Sequence, residues 1–167
     1  TTVDEVLQSR EMLAEEAEGL RRAGVRAAES LPVGVMIETP AATLIADQLA
    51  EVSDFFSIGS NDLTQYTLAI DRGNARLADR FTPHHPAILR QLDMVLSAGE
   101  ARGIPVSVCG EMASEPLSAV LLLGMGFTTL SVAPPSVPLV KWVVRSVPLT
   151  AARAAAEAAR QARSAVQ

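Results

Sequence analysis

Apolar residues recur along this chain in two alternating rhythms. From Val3 to Leu20 they fall at helical spacing, with Val3, Val6, Leu7, Leu13, Ala17 and Leu20 on one side. Thr2 and Glu5 stand three apart, as in a capping box, and Gly24 sits where a helix would stop. "PVGVMIE" at 32–38 is instead a short continuous apolar run that predicts a buried strand. Thr39 followed by Pro40 has the order that starts helices, and Leu44, Ile45, Leu49 and Val52 form one face of the helix predicted there. "DFFSIG" predicts the second strand. A third helix opens at Pro86, places Ile88, Leu89, Leu92, Val95 and Leu96 on one face and closes near Gly103. "IPVSVCG" is the third strand, Pro116 and Gly124 bracket a fourth helix, and "FTTLSVA" is the fourth strand. Trp142 with Val140, Val143 and Val144 reads as core packing. From Thr150 onward the chain is rich in Ala with scattered Arg and Gln, which predicts a solvated or fraying helix with no chemistry of its own.

Strands that are apolar on both faces, each followed by a helix, imply parallel pairing with helical crossovers. The fold class is α/β, in an open doubly wound sheet or a (β/α)8 barrel. Glu38, Asn61 with Asp62, and Cys109 with Glu111 all fall just past successive strand ends, and Ser131 follows the same rule. In both architectures the loops at that end build the active site. Four βα units amount to half of an eight-fold barrel, so on the barrel reading the chain is incomplete.

The 167 residues, 49% of them hydrophobic, suffice for one domain with a core. A formal charge of −5 argues against nucleic-acid and anionic-membrane binding, because both use clustered Lys and Arg against phosphate. No apolar run reaches the roughly 18 residues of a membrane span and no signal-peptide pattern opens the chain. The single cysteine, Cys109, excludes an internal disulfide and suits a reducing, cytoplasmic compartment.

Glu38 and Asp62 lie 24 positions apart, one strand-helix repeat, which places two carboxylates on neighbouring strand ends. Two carboxylates with ligand oxygens and water suit an octahedral Mg²⁺ that keeps room for a phosphate; helix capping or surface ion pairing is the alternative. Asn61 stands at a strand-to-helix turn, where it can stabilise local backbone or donate its amide to an anion. Arg72, in "DRGN", offers a two-pronged donor to phosphate or carboxylate, or else an ion pair with Asp71. Cys109 is a buried small hydrophobe or a reactive thiol. His84 and His85 in "TPHHPA" read as a loop leading into a helix start, and the irregular stretch from Gly73 to Pro86 as a long loop over the strand ends, a lid or dimer element.

Four motifs in order, "VGVMIETPAA", "DFFSIGSNDLTQYTLAIDRGN", "VCGEMASEP" and "LLLGMGFTTLSVA", resemble the C-terminal phosphoenolpyruvate-binding barrel of the phosphoenolpyruvate-protein phosphotransferases, the Enzyme I family of bacterial sugar phosphotransferase systems. The similarity covers about residues 1–147, leaving 148–167 as an Ala-rich helix or tail. The wider superfamily includes pyruvate phosphate dikinase and phosphoenolpyruvate synthase, which remain the alternatives together with a non-catalytic, self-associating fragment. The resemblance implies the second half of a (β/α)8 barrel, about four βα units. It also implies Glu38 and Asp62 as Mg²⁺ ligands, Asn61, Asp62 and Arg72 as substrate-binding residues, and Cys109 as the acid that protonates the enolate of pyruvate. The accepting histidine, the phospho-carrier partner protein of sugar uptake and the arginines of the first barrel half are implied to lie outside this chain. An open half-barrel also leaves two sheet edges that must be covered, which predicts a homodimer or larger assembly.

Overall fold

The computed structural model describes residues 2–164. Helix α1 (Val3–Arg22) begins at the expected capping box: the Thr2 hydroxyl accepts the Glu5 N–H at 3.3 Å, and the Glu5 carboxylate accepts the Thr2 N–H at 2.8 Å. Strand β1 (Val35–Ile37) leads into α2 (Pro40–Leu44) and α3 (Ala46–Glu51), followed by β2 (Phe56–Gly59) and α4 (Ser60–Leu68). After a long loop come α5 (Pro86–Arg102), β3 (Val106–Cys109), the single-turn α6 (Glu111–Ser114), α7 (Pro116–Met125), β4 (Thr129–Leu130), α8 (Val137–Ser146) and α9 (Leu149–Gln161).

The four strands pair in chain order, β1-β2-β3-β4, and every pairing is parallel. A doubly wound sheet reverses its strand order at a switch point, whereas a barrel winds in one direction. The unreversed order therefore selects half of a (β/α)8 barrel. Register places Ile37, Ile58, Val108 and Leu130 in one row and Val35, Phe56 and Val106 in another, all on the face under the helices. Ile37, Phe56, Ile58 and Val108 have no exposed surface, and each contributes about 1.5–3 kcal/mol by its burial. The intervening row, Met36, Ser57, Ser107 and Thr129, occupies the opposite, open face. The expectation of strands apolar on both faces is thus corrected: only the helix-covered face is apolar, and the inner face is mixed.

Helix α5 buries Ile88, Leu89, Leu92, Val95 and Leu96 as its periodicity requires, and Gly103 ends it in the left-handed conformation at φ 69°. Three other faces differ from expectation. Ile45, at φ −116° and ψ 22°, interrupts the helix begun at Pro40, so α2 and α3 present different sides to the core; Leu49 is fully buried and Leu44 is 70% exposed. On α1 only Val6 is buried, while Leu7, Leu13 and Leu20 stay exposed on a side that no described element covers. On α8, Val140 and Val143 pack inward, whereas Trp142 is 64% exposed and Val144 is also outside.

The Ala-rich C-terminal segment is a helix, largely solvated as expected but anchored along one face. Ala152 and Ala156 are fully buried, and Arg160 grips Asp93 of α5 through two hydrogen bonds of 2.8 and 2.7 Å. Those contacts raise the pKa of the guanidinium, the Asp93 hydrogen bond foremost and burial opposing it. The helix sits close because α7 carries Gly124 at the crossing: a Cβ there would lie 2.0 Å from the Ala152 carbonyl oxygen. Replacing Gly124 by Ala gains about 1 kcal/mol of helix propensity, but it forces α9 outward at an overpacking cost of about 1–3 kcal/mol. Gly124→Ala is therefore expected to lower the thermal midpoint followed by circular dichroism, and a midpoint at or above that of the parent protein would contradict this packing.

Candidate functional site

Glu38, Asn61 with Asp62, and Cys109 lie where strands end, as their sequence positions imply. β2 runs directly into α4, so Asn61 and Asp62 sit in the first turn of that helix rather than in a loop. Glu38 follows β1, and its side chain folds over β2: a Cβ on Gly59 would lie 2.8 Å from both its Cβ and its Oε2. Glycine is thus required at 59 for the Glu38 carboxylate to reach the end of the second strand, beside the turn that carries Asp62. Both carboxylates are half-buried. Among the described residues, no group of three or more His, Cys, Asp and Glu side chains is arranged to enclose a metal.

The third strand meets the second equally closely. Gly110, at φ 93°, has the left-handed backbone that favours glycine, and a Cβ there would stand 2.6 Å from Ser60 Oγ and 3.2 Å from Asn61 Oδ1. Ser60 Oγ donates to the Cys109 carbonyl at 2.7 Å, and the Glu111 N–H donates to Asn61 Oδ1 at 3.3 Å. That last bond fixes the amide's orientation: the oxygen faces β3, and the NH₂ group has no partner among the described residues.

Cys109 is half-buried on the inner face. Its thiol donates to the Ile58 carbonyl at 3.3 Å, accepts from the Ser57 hydroxyl at 3.6 Å and lies 3.9 Å from Met36 Sδ. It is neither a core residue nor fully solvated. Ser57 and Met36 were not foreseen as neighbours. Their signal was the alternation of Ser57 with Phe56 and Ile58, which sets Ser57 on the inner face with Cys109.

Arg72 is placed apart. It lies on an exposed turn after α4, its backbone N–H donating to Gln65 Oε1 at 3.3 Å. The guanidinium has no hydrogen bond or ion pair among the described residues. Asp71 is engaged instead with the Gly73 N–H at 2.8 Å, so the Asp71–Arg72 pair does not form.

Both histidines have structural partners. His85 caps α5, its Nδ1 accepting the Ala87 N–H at 3.1 Å. His84 Nε2 lies 2.6 Å from Ser118 Oγ, and that hydroxyl donates to Glu115 Oε2 at 2.7 Å. Having given its one proton to the carboxylate, Ser118 accepts from His84, so His84 carries its proton on Nε2. Glu115 also caps α7, taking the N–H groups of Leu117 at 3.0 Å and Ser118 at 2.6 Å.

The description "PEP-utilising enzyme, PEP-binding domain" matches residues 1–149. The chain therefore belongs to the phosphoenolpyruvate-utilising enzymes and carries their phosphoenolpyruvate-binding domain. Within that class it is 46% identical over 136 residues to the phosphoenolpyruvate-protein phosphotransferase of Geobacillus stearothermophilus and 44% identical over 136 residues to that of Listeria monocytogenes. It is also 39% identical over 164 residues to a multiphosphoryl transfer protein of Escherichia coli. These alignments take in 81%, 81% and 98% of this chain but 24%, 24% and 20% of the relatives. The chain thus spans about a quarter or less of their length. No helix among the described residues is long and apolar enough to cross a membrane.

The Glu115 carboxyl gives the site's rim an acid dependence. Burial works against its ionisation, but hydrogen bonds from the Ser118 hydroxyl and from the Leu117 and Ser118 N–H groups outweigh it, and the positive potential of His84 adds to them. The carboxyl is thereby held below its usual range. A depressed folded pKa contributes stability that is present above the ordinary carboxylate pKa and lost as pH falls through the folded value. Glu115→Gln keeps an acceptor oxygen and removes the charge. It should destabilise the protein by about 1 kcal/mol at pH 7 and converge with the parent in acid. Urea titrations at pH 7 and pH 3 check this, and a difference that does not change with pH would contradict it.

Proposed function

We propose that this chain is the half of a phosphoenolpyruvate-protein phosphotransferase barrel that binds the metal-chelated substrate and protonates the enolate product. The observation that supports it most directly is the convergence of Glu38, Asn61 with Asp62, and Cys109 at the ends of three neighbouring strands, made possible by Gly59 and Gly110. Two carboxylates without a closed protein cage suit Mg²⁺, which is commonly held by one or two carboxylates, water and substrate phosphate oxygens. Glu38 and Asp62 are the residues that would hold it, and the ion would supply charge neutralisation for the phosphate and the developing enolate.

Asn61 contributes its NH₂ group, without a partner among the described residues, as a phosphate donor, and the backbone N–H groups of the first turn of α4 point the same way. Arg72 supplies a guanidinium from the loop above. Transfer breaks the bridging P–O bond of phosphoenolpyruvate and forms a P–N bond to a histidine on another domain of the full-length protein. The electron pair of the broken bond remains on enolpyruvate. The Cys109 S–H then gives its proton to the methylene carbon, yielding pyruvate, and the thiolate regains a proton from solvent. A thiol, with a reference pKa near 8.5, is protonated at neutral pH yet able to release its proton. The phospho-carrier protein of sugar uptake is the onward acceptor, and a cytoplasmic homodimer is the working form. The first barrel half supplies further arginines and covers the open inner face and the exposed edges of β1 and β4.

Two substitutions in the full-length enzyme test the assignment. Asp62→Asn removes one anionic ligand while preserving shape, so Mg²⁺-dependent turnover should fall by orders of magnitude with the fold intact; an unchanged rate and Mg²⁺ requirement would remove Asp62 from the site. Cys109→Ala should leave binding of phosphoenolpyruvate and Mg²⁺ in place while pyruvate formation drops by at least about 10²-fold. A thiol reagent should inactivate the parent enzyme, with protection by phosphoenolpyruvate. A folded Ala variant turning over at close to the parent rate would make the thiol structural.

A further inference from the structure

The loop at 69–85, which joins α4 to α5, carries Arg72 and is ordered largely by its own turns. The Ile70 N–H returns to the Gln65 carbonyl at 3.0 Å, Asp71 accepts from Gly73, and Asn74 accepts from Arg76 at 3.0 Å. Leu77 closes onto the Asn74 carbonyl at 2.9 Å and the His85 N–H onto the Thr82 carbonyl at 3.1 Å. These bonds stiffen the loop without saying where it stands. Among the described residues, a single hydrogen bond leads from it to a different βα unit, the one from His84 Nε2 to Ser118.

That contact is well founded on its far side. Ser118 is 1% exposed in the first turn of α7, and Glu115 holds both its hydroxyl and its N–H. Both α5 and α7 run back toward the starts of β3 and β4, so their N-termini stand at the C-terminal rim of the sheet, the rim that carries Glu38, Asp62 and Cys109. The link therefore spans the substrate end of the half-barrel from the second βα unit to the third.

We propose that His84 is a positioning residue for substrate binding: through Ser118 and Glu115 it pins the loop that carries Arg72 to α7, and so restricts the positions from which the Arg72 guanidinium can reach the strand ends. This rests on the reading of Arg72 as a phosphate donor. A free serine or asparagine amide at 84 would not span the gap, whereas a glutamine places its Nε2 where the imidazole Nε2 stands and keeps the donated hydrogen bond. Because Ser118 and His84 act on the same bond, removing either should have the effect of removing both.

The test uses the full-length enzyme with two readouts. Amide hydrogen exchange over residues 70–84 reports the pin, and steady-state kinetics with phosphoenolpyruvate and Mg²⁺ reports its consequence. In His84→Ala and in Ser118→Ala, exchange across the loop should rise about tenfold. KM should rise by a similar factor with kcat within about twofold, and the double variant should match the single ones. His84→Gln should stay near the parent on both measures. Unchanged loop exchange in folded His84→Ala overturns the pin. Raised exchange with an unchanged KM, or a Gln variant that behaves like Ala, overturns the positioning role and leaves His84 as fold support only. Arg72→Ala separates the two layers: if KM does not rise in that variant, the phosphate role of Arg72 and the kinetic half of this proposal both fall, while loop exchange still decides the pin.

Discussion

Parallel pairing of the four strands in chain order is the constraint from which the other features follow. A strand can pair in parallel with its predecessor only if the chain crosses back over one face, and the right-handed preference sends every crossover over the same face. One side of the sheet is therefore covered by helices and filled with Ile37, Phe56, Ile58 and Val108, while the other is left to Met36, Ser57, Ser107 and Thr129. The same rule points every strand at one rim, and this brings carboxylates far apart in sequence to adjacent positions.

Close approach at that rim depends on two glycines with different physical reasons. Gly59 leaves room for the Glu38 side chain on the neighbouring strand, and Gly110 both adopts a positive φ and lets the third strand's end abut Ser60 and Asn61. With a side chain at either position, the carboxylate or the amide would have to withdraw. The hydrogen bonds from Ser60 to Cys109 and from Glu111 to Asn61 then stitch β2 to β3 beyond the last ladder pair.

The end of the sheet away from the rim is held differently. Arg10 of α1 donates to the Val52 carbonyl at 2.8 Å and to Asp54 at 2.7 Å, and Asp54 accepts the Val33 N–H at 2.6 Å. Those bonds, the Val33 N–H foremost, hold the Asp54 carboxyl below its usual range. Together with the Arg160–Asp93 pair, they fasten the first and last helices to the central units. Both fastenings use a guanidinium with more than one acceptor, which fixes helix position more sharply than apolar contact alone.

Periodicity and punctuation in the sequence determined most of the local structure. The capping box at Thr2 and Glu5, the prolines that open α2, α5 and α7, the left-handed Gly103 and the four apolar runs each act within a few residues, so each is legible without a fold. The residues of the candidate site were also legible, because polar side chains immediately after an apolar strand violate its pattern. What the sequence could not decide is which apolar faces find a partner. Leu44 lies exposed because the helix begun at Pro40 is interrupted at Ile45, and Ala152 lies buried because Gly124, distant in sequence, lets α9 approach α7. The link from His84 to Ser118 belongs to the same class: 34 residues separate its ends, and only the side-by-side packing of two βα units makes them neighbours.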